Sequence, residues 1–284
     1  MDGVRVGDFH IARILDHVHW WDGGTFFGVV PKALWSKKKS PDRSNRIAVA
    51  FNCYLIQGAG YTVLVETGCG DKPDARARER MNLPPDAASL SEVIGQNGFD
   101  PASIDIIVNS HLHWDHCGGN TILTPDGLDS KPAFPRAHYF ARRGEWEHAH
   151  ERLARDGVSY NDLNYDPLVE SGQMTLVDSD CEVAPGVWMR HAPGHNRDMC
   201  VITVESRGET FCFLSDLTPT AAHVQPTWLL SFDLYPLETI ENKHRWLGRA
   251  ADEHWVCGFG HEVDMGFATI RRHPKTHFTA EPVT

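Results

Sequence analysis

Residues 111–119 read His-Leu-His-Trp-Asp-His-Cys-Gly-Gly, and this stretch decides the fold. It places three imidazoles and one carboxylate within six residues. His111 and His113 are two positions apart, so on an extended segment they point the same way. Imidazole nitrogen and carboxylate oxygen suit Zn²⁺ and other first-row divalent ions. One histidine among the 17 in this chain would mean little, but four donors in an H-x-H-x-D-H pattern before two glycines indicate a metal-binding loop.

Further candidate donors follow short apolar runs that are typical of β-strands. His195 comes after the predicted strand Val187–His191, Asp216 ends the run 211–216, and His261 ends the run 256–261. Because one ion would not use all of these donors, we expect two ions that share a carboxylate. The predicted ligands are His111, His113 and His195 for one ion, Asp115, His116 and His261 for the other, and Asp216 between them.

In this order, the motifs resemble those of the metallo-β-lactamase superfamily. Residues 63–68 look like its first motif, 111–116 its second, and His195, Asp216 and His261 its third to fifth. Glu66 stands where the family usually has Asp, a residue that supports a metal ligand from behind. Asp at 216 resembles the dinuclear lactonase and organophosphate-hydrolase branch, since true β-lactamases often have Cys or Ser there.

The resemblance implies a fold and a chemistry. The expected fold is α+β, an αβ/βα sandwich of two mixed β-sheets with helices on the outer faces, with residues 1–284 as a single hydrolase domain. The expected cofactor is a pair of divalent metal ions, with zinc as the leading metal. Such a pair activates a bridging water for attack on a carbonyl or phosphoryl group.

The substrate class stays open at this point. We expect a neutral, fairly apolar lactone or ester, with N-acyl homoserine lactone as the leading candidate. An arylesterase or phosphotriesterase is the first alternative. A glyoxalase-type thioester hydrolase is another, with Arg271, Arg272 and Lys275 as an anchor for a substrate carboxylate. A mononuclear iron oxygenase would use only His111, His113 and a later acid.

Two further catalytic roles are expected from the resemblance. Asp115 is a candidate proton shuttle to the leaving group, in addition to binding metal. Similar lactonases place a tyrosine soon after the bridging aspartate, but here the third residue after Asp216 is Pro219. Tyr235 is the nearest downstream candidate for that role, and its alternative interpretation is a packed aromatic residue beside a helix start.

Residues 17–36 are rich in both aromatic residues and glycine. We interpret this segment as a loop that lines an apolar substrate pocket. The alternative is a core segment or a contact in a homodimer, because exposed aromatic clusters often mark subunit interfaces. The candidate pocket residues are Trp20, Trp21, Phe26, Phe27 and Trp35.

The composition of the chain favours some binding partners and one cellular compartment over others. The net charge of −11 argues against nucleic acid, whose phosphates attract basic proteins. The chain has no N-terminal apolar segment and no apolar run of about 18 residues, which predicts neither a signal peptide nor a membrane span. Its seven cysteines form no C-x-x-C pair and are expected to be reduced and mostly buried, with Cys117 a minor candidate ligand. These features favour a cytoplasmic enzyme with a small-molecule substrate.

Overall fold

Alternating and continuous apolar runs give this chain two β-sheets of seven strands each, in a computed structural model that describes residues 2–83 and 87–283. The strands are β1 (Gly3–Val6), β2 (Phe9–Asp22), β3 (Arg46–Gly58), β4 (Tyr61–Val65), β5 (Ile106–Val108), β6 (Thr121–Leu123), β7 (Ser130–Pro132), β8 (His138–Arg142), β9 (Met174–Val177), β10 (Cys181–Ala184), β11 (Val187–His191), β12 (Cys200–Ser206), β13 (Glu209–Phe213), β14 (Val256–Gly258), β15 (Ala268–His273) and β16 (His277–Pro282).

Both large sheets are mixed. The first has the order β1-β2-β3-β4-β5-β8-β9, and the second has the order β10-β11-β12-β13-β14-β15-β16. Parallel pairing joins β4 to β5, β5 to β8 and β8 to β9 in the first sheet, and β13 to β14 in the second. Strands β6 and β7 form a separate small ribbon. The parallel strands matter most, because their carboxyl ends lie at one edge and carry the loops that hold the candidate metal ligands.

The two sheets face each other across a shared apolar core. Ile11, Tyr54 and Val63 of the first sheet pack in one cluster with Met189 and Phe211 of the second. The hydroxyl of Tyr54, fully buried there, donates a hydrogen bond to the carbonyl of Gly266 at 2.8 Å. Burial of large apolar side chains from both sheets is the main stabilising term of this layer.

Helices cover the outer face of each sheet. They are α1 (Gly23–Phe27), α2 (Lys32–Trp35), α3 (Ala75–Met81), α4 (Leu90–Gln96), α5 (Trp114–Cys117), α6 (Arg143–Glu151), α7 (Asp166–Glu170) and α8 (Pro236–Asp252). Leu90, Ile94 and Leu168 from α4 and α7 pack on the first sheet. Trp246 and Leu247 of α8 pack on the second. The predicted fold class, a sandwich of two mixed sheets with outer helices, is confirmed.

Polar side chains support two of the outer helices. Ser89 caps α4, which begins at Leu90, and exchanges side-chain and backbone hydrogen bonds with Glu92. On α6, His148 is buried, and its Nε2 lies 2.7 Å from the carboxylate of Asp156.

The interpretation of residues 17–36 as a loop is wrong. Residues 17–22 continue β2, which pairs with β3 as far as Asp22 and Arg46, and α1 and α2 follow. Asp22 caps α1 by accepting from the backbone N–H of Gly24. The glycines that suggested a loop instead permit close packing, since a Cβ on Gly23 would lie 2.4 Å from the Trp35 ring. No helix within residues 2–83 and 87–283 is long and apolar enough to cross a membrane.

Candidate metal centre

The candidate ligands converge because each follows the end of a strand or a short connection at the same edge of the two sheets. The segment after β5 carries His111 and His113, and α5 begins at Trp114. Asp216 lies in a short 3-10 turn after β13, and His261 follows β14. Gly118 lets the end of this loop pack closely, since a Cβ there would lie 2.2 Å from the carbonyl oxygen of Cys69.

The first cluster consists of three imidazoles. His111 Nε2 lies 3.1 Å from His113 Nδ1, and that same atom lies 3.1 Å from His195 Nε2. All three residues are buried. Burial and the neighbouring imidazoles lower the pKa of His111 and of His113 well below the usual value. Three ring nitrogens that converge in this way can offer lone pairs to one cation once each is unprotonated.

The second cluster joins Asp115, His116 and His261, whose donor atoms lie within 4.8 Å of one another. Asp216 lies between the two clusters. Its Oδ1 is 3.0 Å from His261 Nε2 and 3.5 Å from His116 Nε2, whereas its Oδ2 is 3.4 Å from His195 Nε2. One carboxylate therefore faces both clusters, each with a different oxygen.

Electrostatics keep the Asp216 carboxylate ionised. Burial opposes its charge, but the three imidazoles that face it outweigh burial and hold its pKa well below the usual range. Burial also opposes the charged form of His195 and lowers its pKa, but the nearby carboxylates of Asp216 and Asp233 outweigh burial and raise the pKa overall. The centre thus combines a fixed negative charge with nitrogen donors in a region that excludes water.

The outer nitrogens of the imidazoles are held by neighbouring groups. His195 Nδ1 lies 2.9 Å from Asp233 Oδ1, and His261 Nδ1 donates to the carbonyl of Ala50 at 2.9 Å. His111 Nδ1 lies 2.9 Å from the hydroxyl of Ser110. Such contacts fix ring orientation and tautomer, which leaves the inner nitrogens free to bind a metal.

Glu66 supports the imidazole of His116. Its Oε1 lies 3.5 Å from His116 Nδ1 and accepts a hydrogen bond from the backbone N–H of Ser110 at 3.1 Å. Glu66 itself adopts a left-handed backbone conformation, with φ of 62°. The longer side chain of Glu66 therefore supports a candidate metal ligand, His116, as an aspartate at this position would be expected to do.

The donor set fits a pair of metal ions. Three inner atoms have no hydrogen-bond partner in the structure although they are buried: His116 Nε2, His261 Nε2 and Asp216 Oδ1. An uncompensated buried polar atom is costly, and a cation between these atoms would offset that cost. Nitrogen and carboxylate oxygen are donors that zinc and similar ions accept.

A cleft of about 590 Å³ opens beside the two clusters. Tyr160 forms one wall, and its ring lies 4.8 Å from the ring of His113. Trp21 forms another, with its ring 6.2 Å from His261 and 5.9 Å from Trp114. Most of its lining is apolar or aromatic, and its polar members are Lys72, Arg80, Asn161 and Asn164, a mixture that is typical of a small-molecule site.

The family follows from this geometry together with a comparison of sequences. The model of the metallo-beta-lactamase superfamily matches residues 48–261, which include all of the candidate ligands. The chain belongs to the metallo-beta-lactamase superfamily. This is the family that the resemblance of its motifs predicted.

Several curated relatives of this superfamily member are named N-acyl homoserine lactonase. One from Bacillus sp is 28% identical over 154 residues, which are 50% of this chain and 53% of that protein. The chain thus spans about half the length of the Bacillus relatives that it matches. The lactonase AiiB from Agrobacterium fabrum (strain C58 / ATCC 33970) is 28% identical over 214 residues, or 70% of this chain and 74% of AiiB.

Solved structures extend the likeness over nearly the whole chain. A probable metal-dependent hydrolase from Staphylococcus aureus superposes with a TM-score of 0.85 at 25% identity, covering 99% of this chain and 100% of that one. AidC, a dizinc quorum-quenching lactonase solved with a product, N-hexanoyl-L-homoserine, superposes with a TM-score of 0.79 at 18% identity. That superposition covers 100% of this chain and 97% of AidC, and it concerns the fold.

The expected pocket residues divide into two groups. Trp21 lines the cleft, and Trp20, its neighbour on β2, points to the opposite face of the strand. Phe26 contacts the centre from behind, with its ring 5.7 Å from His261, but it is fully buried. Phe27 and Trp35 stack on each other in the core, at 5.0 Å between rings. Phe27 and Trp35 therefore do not line the cleft, which corrects the expectation for them.

Tyr235 immediately precedes α8, and its backbone N–H donates to the carbonyl of Gly194, the residue before His195. Its role toward the substrate stays a prediction. The proposed carboxylate anchor is engaged in other pairs, since Arg271 pairs with Glu281 at 3.2 Å and Arg272 with Asp252 at 2.6 Å.

Sequence reasoning missed three residues that the structure brings to this site. Asp233 is the only acidic residue in the mainly apolar stretch 228–235, and that carboxylate was the available signal. Trp114 lies inside the metal-binding loop and lines the cleft. Tyr160 lies in an irregular segment after α6, and its hydroxyl accepts a hydrogen bond from Asn196 Nδ2 at 3.3 Å. No local pattern in the sequence marks Tyr160.

Proposed function

We propose that this chain is a metallohydrolase that opens a lactone or ester with two divalent metal ions, and that an N-acyl homoserine lactone is its leading substrate. The observation that carries the proposal is the position of Asp216, whose two oxygens face two separate donor clusters. A mononuclear oxygenase would need only the first cluster and one acid. The buried cluster of Asp115, His116 and His261 would then bind no metal.

In this proposal His111, His113 and His195 would hold one ion, Asp115, His116 and His261 would hold the other, and Asp216, which faces both clusters, would serve both donor sets. When bound, the ions supply Lewis acidity and lower the pKa of a coordinated water. The residues of the chain orient the donors and exclude bulk water. Asp115, whose Oδ2 lies 3.6 Å from His116 Nε2, is also the carboxylate proposed to pass a proton to the leaving group.

The apolar part of the cleft supports a substrate with an apolar group. Trp21, Trp114 and Met81 give it aromatic and aliphatic walls, and burial of each substrate methylene there would contribute about 0.8 kcal/mol. The names of the curated relatives point in the same direction, toward N-acyl homoserine lactones. The aromatic walls also favour an aryl ester as the second candidate substrate.

The test is a substrate panel on metal-analysed protein. N-acyl homoserine lactones, an aryl ester, a phosphotriester, a glutathione thioester and a penicillin would be compared at equal metal content. We expect the lactones or the aryl ester to be turned over faster than the penicillin. Efficient penicillin hydrolysis without lactone or ester activity would overturn the proposal.

A variant tests the bridging carboxylate separately. Asp216→Ala should lose most hydrolysis and keep its circular dichroism spectrum, because the change removes the group between the clusters. Asp178→Ala is the matched control, since Asp178 is an exposed carboxylate that pairs only with Arg143 among the described residues. Near-normal activity in Asp216→Ala would show that Asp216 does not bridge two ions.

A further inference from the structure

A second group of possible metal donors lies apart from the seven candidate ligands. Asp16 and His17 on β2 and Cys69 after β4 each offer one donor atom, and these atoms lie within 4.8 Å of one another. All three residues line a second cavity of about 470 Å³, and Cys69 also lines the cleft beside the main centre. We infer that Asp16, His17 and Cys69 form an additional binding site for one borderline divalent cation of the zinc type.

A β-bulge brings the two adjacent residues of β2 together. Leu15 pairs with Asn52 and His17 pairs with Phe51, so Asp16 is an extra residue without a partner in β3. Neighbouring side chains on a regular strand point to opposite faces, whereas a bulge redirects one of them. Here His17 Nδ1 lies 3.0 Å from Asp16 Oδ1. The bulge therefore allows both side chains to serve one site.

The backbone opposite is shaped around the Asp16 carboxylate. Gly68 has a φ of +66°, and a Cβ on it would lie 2.2 Å from Asp16 Oδ2. Only glycine combines this left-handed conformation with the space that the carboxylate needs. Cys69 follows directly, so the same turn brings a thiol to the carboxylate.

The carboxylate is buried without full compensation. The Asp16 side chain is 2% exposed, and its Oδ2 has no hydrogen-bond partner in the structure. His17 Nδ1 is likewise buried without a satisfactory hydrogen bond. A buried carboxylate with an unpaired oxygen is costly, and metal coordination is one of the few ways to offset that cost. This orphaned oxygen points to a ligand independently of the donor cluster.

The charges at the site balance for a divalent cation. On binding, the Cys69 thiol loses its proton to solvent, and the thiolate and the Asp16 carboxylate together neutralise a charge of +2. Burial raises the pKa of that thiol, and the neighbouring Arg78 guanidinium opposes the shift. Arg78 lines the same cavity, so it favours the thiolate but would repel a cation. Sulfur, nitrogen and oxygen donors in one set favour zinc or cobalt over calcium or magnesium.

The sulfur ligand separates this inference from the proposed function. None of the seven candidate ligands of the main centre carries sulfur, so a thiolate-to-cobalt charge-transfer band in the near ultraviolet would report the additional site alone. The experiment uses the full chain, stripped of metal and titrated with Co²⁺. We expect the band to appear and to compete away with Zn²⁺, whether or not the protein hydrolyses any lactone.

Variants assign the band to its ligands. Cys69→Ser should lose the band and one bound cobalt ion per chain, with an unchanged circular dichroism spectrum. His17→Gln provides a second route if Cys69→Ser does not fold, and it should weaken Co²⁺ binding at this site by at least tenfold. Cys117→Ser is the matched control, because Cys117 is a buried thiol beside the metal-binding loop that donates to the carbonyl of Leu112 at 3.3 Å.

Three results would overturn the inference. The first is a cobalt-loaded protein without a thiolate band. The second is a band that survives in Cys69→Ser and disappears in Cys117→Ser, which would assign the sulfur ligand to the main centre. A band that persists in both variants would place the thiolate on another cysteine and would equally reject the site.

Discussion

Replacement of Asp233 tests whether the two donor clusters can be weakened one at a time. Asp233 is buried, and its Oδ1 lies 2.9 Å from Nδ1 of His195, which belongs to the first cluster. Asp233→Ala leaves that ring N–H without its acceptor and frees the ring to rotate. Asp233→Asn keeps an acceptor oxygen of the same shape but removes the negative charge. The pair of variants separates orientation from charge.

The expected loss can be worked out from this contact. An unsatisfied buried donor costs about 1–3 kcal/mol. Removal of a group that orients a metal ligand typically costs 10–100-fold in metal affinity, or about 1.4–2.7 kcal/mol. The two figures agree, so Asp233→Ala should weaken the first ion by about that factor. The second ion should be nearly unaffected, because His116 and His261 are held by Glu66 and by the carbonyl of Ala50.

The assay is competition for zinc against a chromophoric chelator, which resolves the two affinities. Asp233→Asn should fall between the wild type and Asp233→Ala. The fold should survive in both variants, because the neighbouring Lys243 also donates to two backbone carbonyls. Burial lowers the pKa of Lys243 to about 7, and the charge of Asp233 opposes this shift. Equal weakening of both ions, or no weakening of either, would refute the idea that each cluster has its own support.

Three further predictions concern other parts of the site and the core. Glu66→Ala should do the reverse of Asp233→Ala and weaken mainly the second ion, which the same chelator competition measures. Trp21→Ala should raise KM for long-acyl lactones more than for short ones, by about 1–3 kcal/mol in that discrimination, because Trp21 lines the cleft; a flat chain-length profile would remove Trp21 from the acyl site. Burial lowers the pKa of His223 from 6.5 to about 3, so its contribution to stability is complete above pH 6.5 and is lost as the pH falls toward 3, by about 1.4 kcal/mol per unit. His223→Gln retains a donor for the carbonyl of Phe26. Its unfolding free energy should fall less steeply than that of the wild type between pH 6 and pH 4, roughly the range in which only the unfolded histidine is protonated. If urea denaturation gives the same change of unfolding free energy with pH for both proteins, the assignment to His223 is wrong.

The sequence was sufficient to predict the convergence of the seven donors, for a physical reason. Each donor follows a short apolar run that pairs in a sheet, and parallel pairing of β4 with β5 and of β13 with β14 brings the ends of those runs to one edge. The four donors within residues 111–116 are close in sequence, so their proximity follows without any prediction of long-range packing. The family resemblance supplied the order of the motifs and therefore the topology.

The walls of the cleft were harder to predict because they depend on packing between distant segments. Trp21 and Phe27 are six residues apart and equally aromatic, but Trp21 continues a strand into the cleft while Phe27 turns with α1 into the core. Composition alone does not distinguish these outcomes. Tyr160 reaches His113 from a segment whose position depends on contacts of α6 and the following turns, and no periodicity reports such contacts.

The supporting groups of the two clusters come from different parts of the chain, and this has a consequence for assembly of the centre. The first cluster depends on Asp233, which lies near the start of α8, whereas the second depends on Glu66 and on the backbone of β3. Asp216 is the one candidate ligand that faces both. Since a backbone carbonyl cannot be lost by side-chain substitution, the second cluster is the better protected of the two. A substitution near the start of α8 should therefore weaken binding of the first ion more than binding of the second. Asp216 would then face only one occupied cluster.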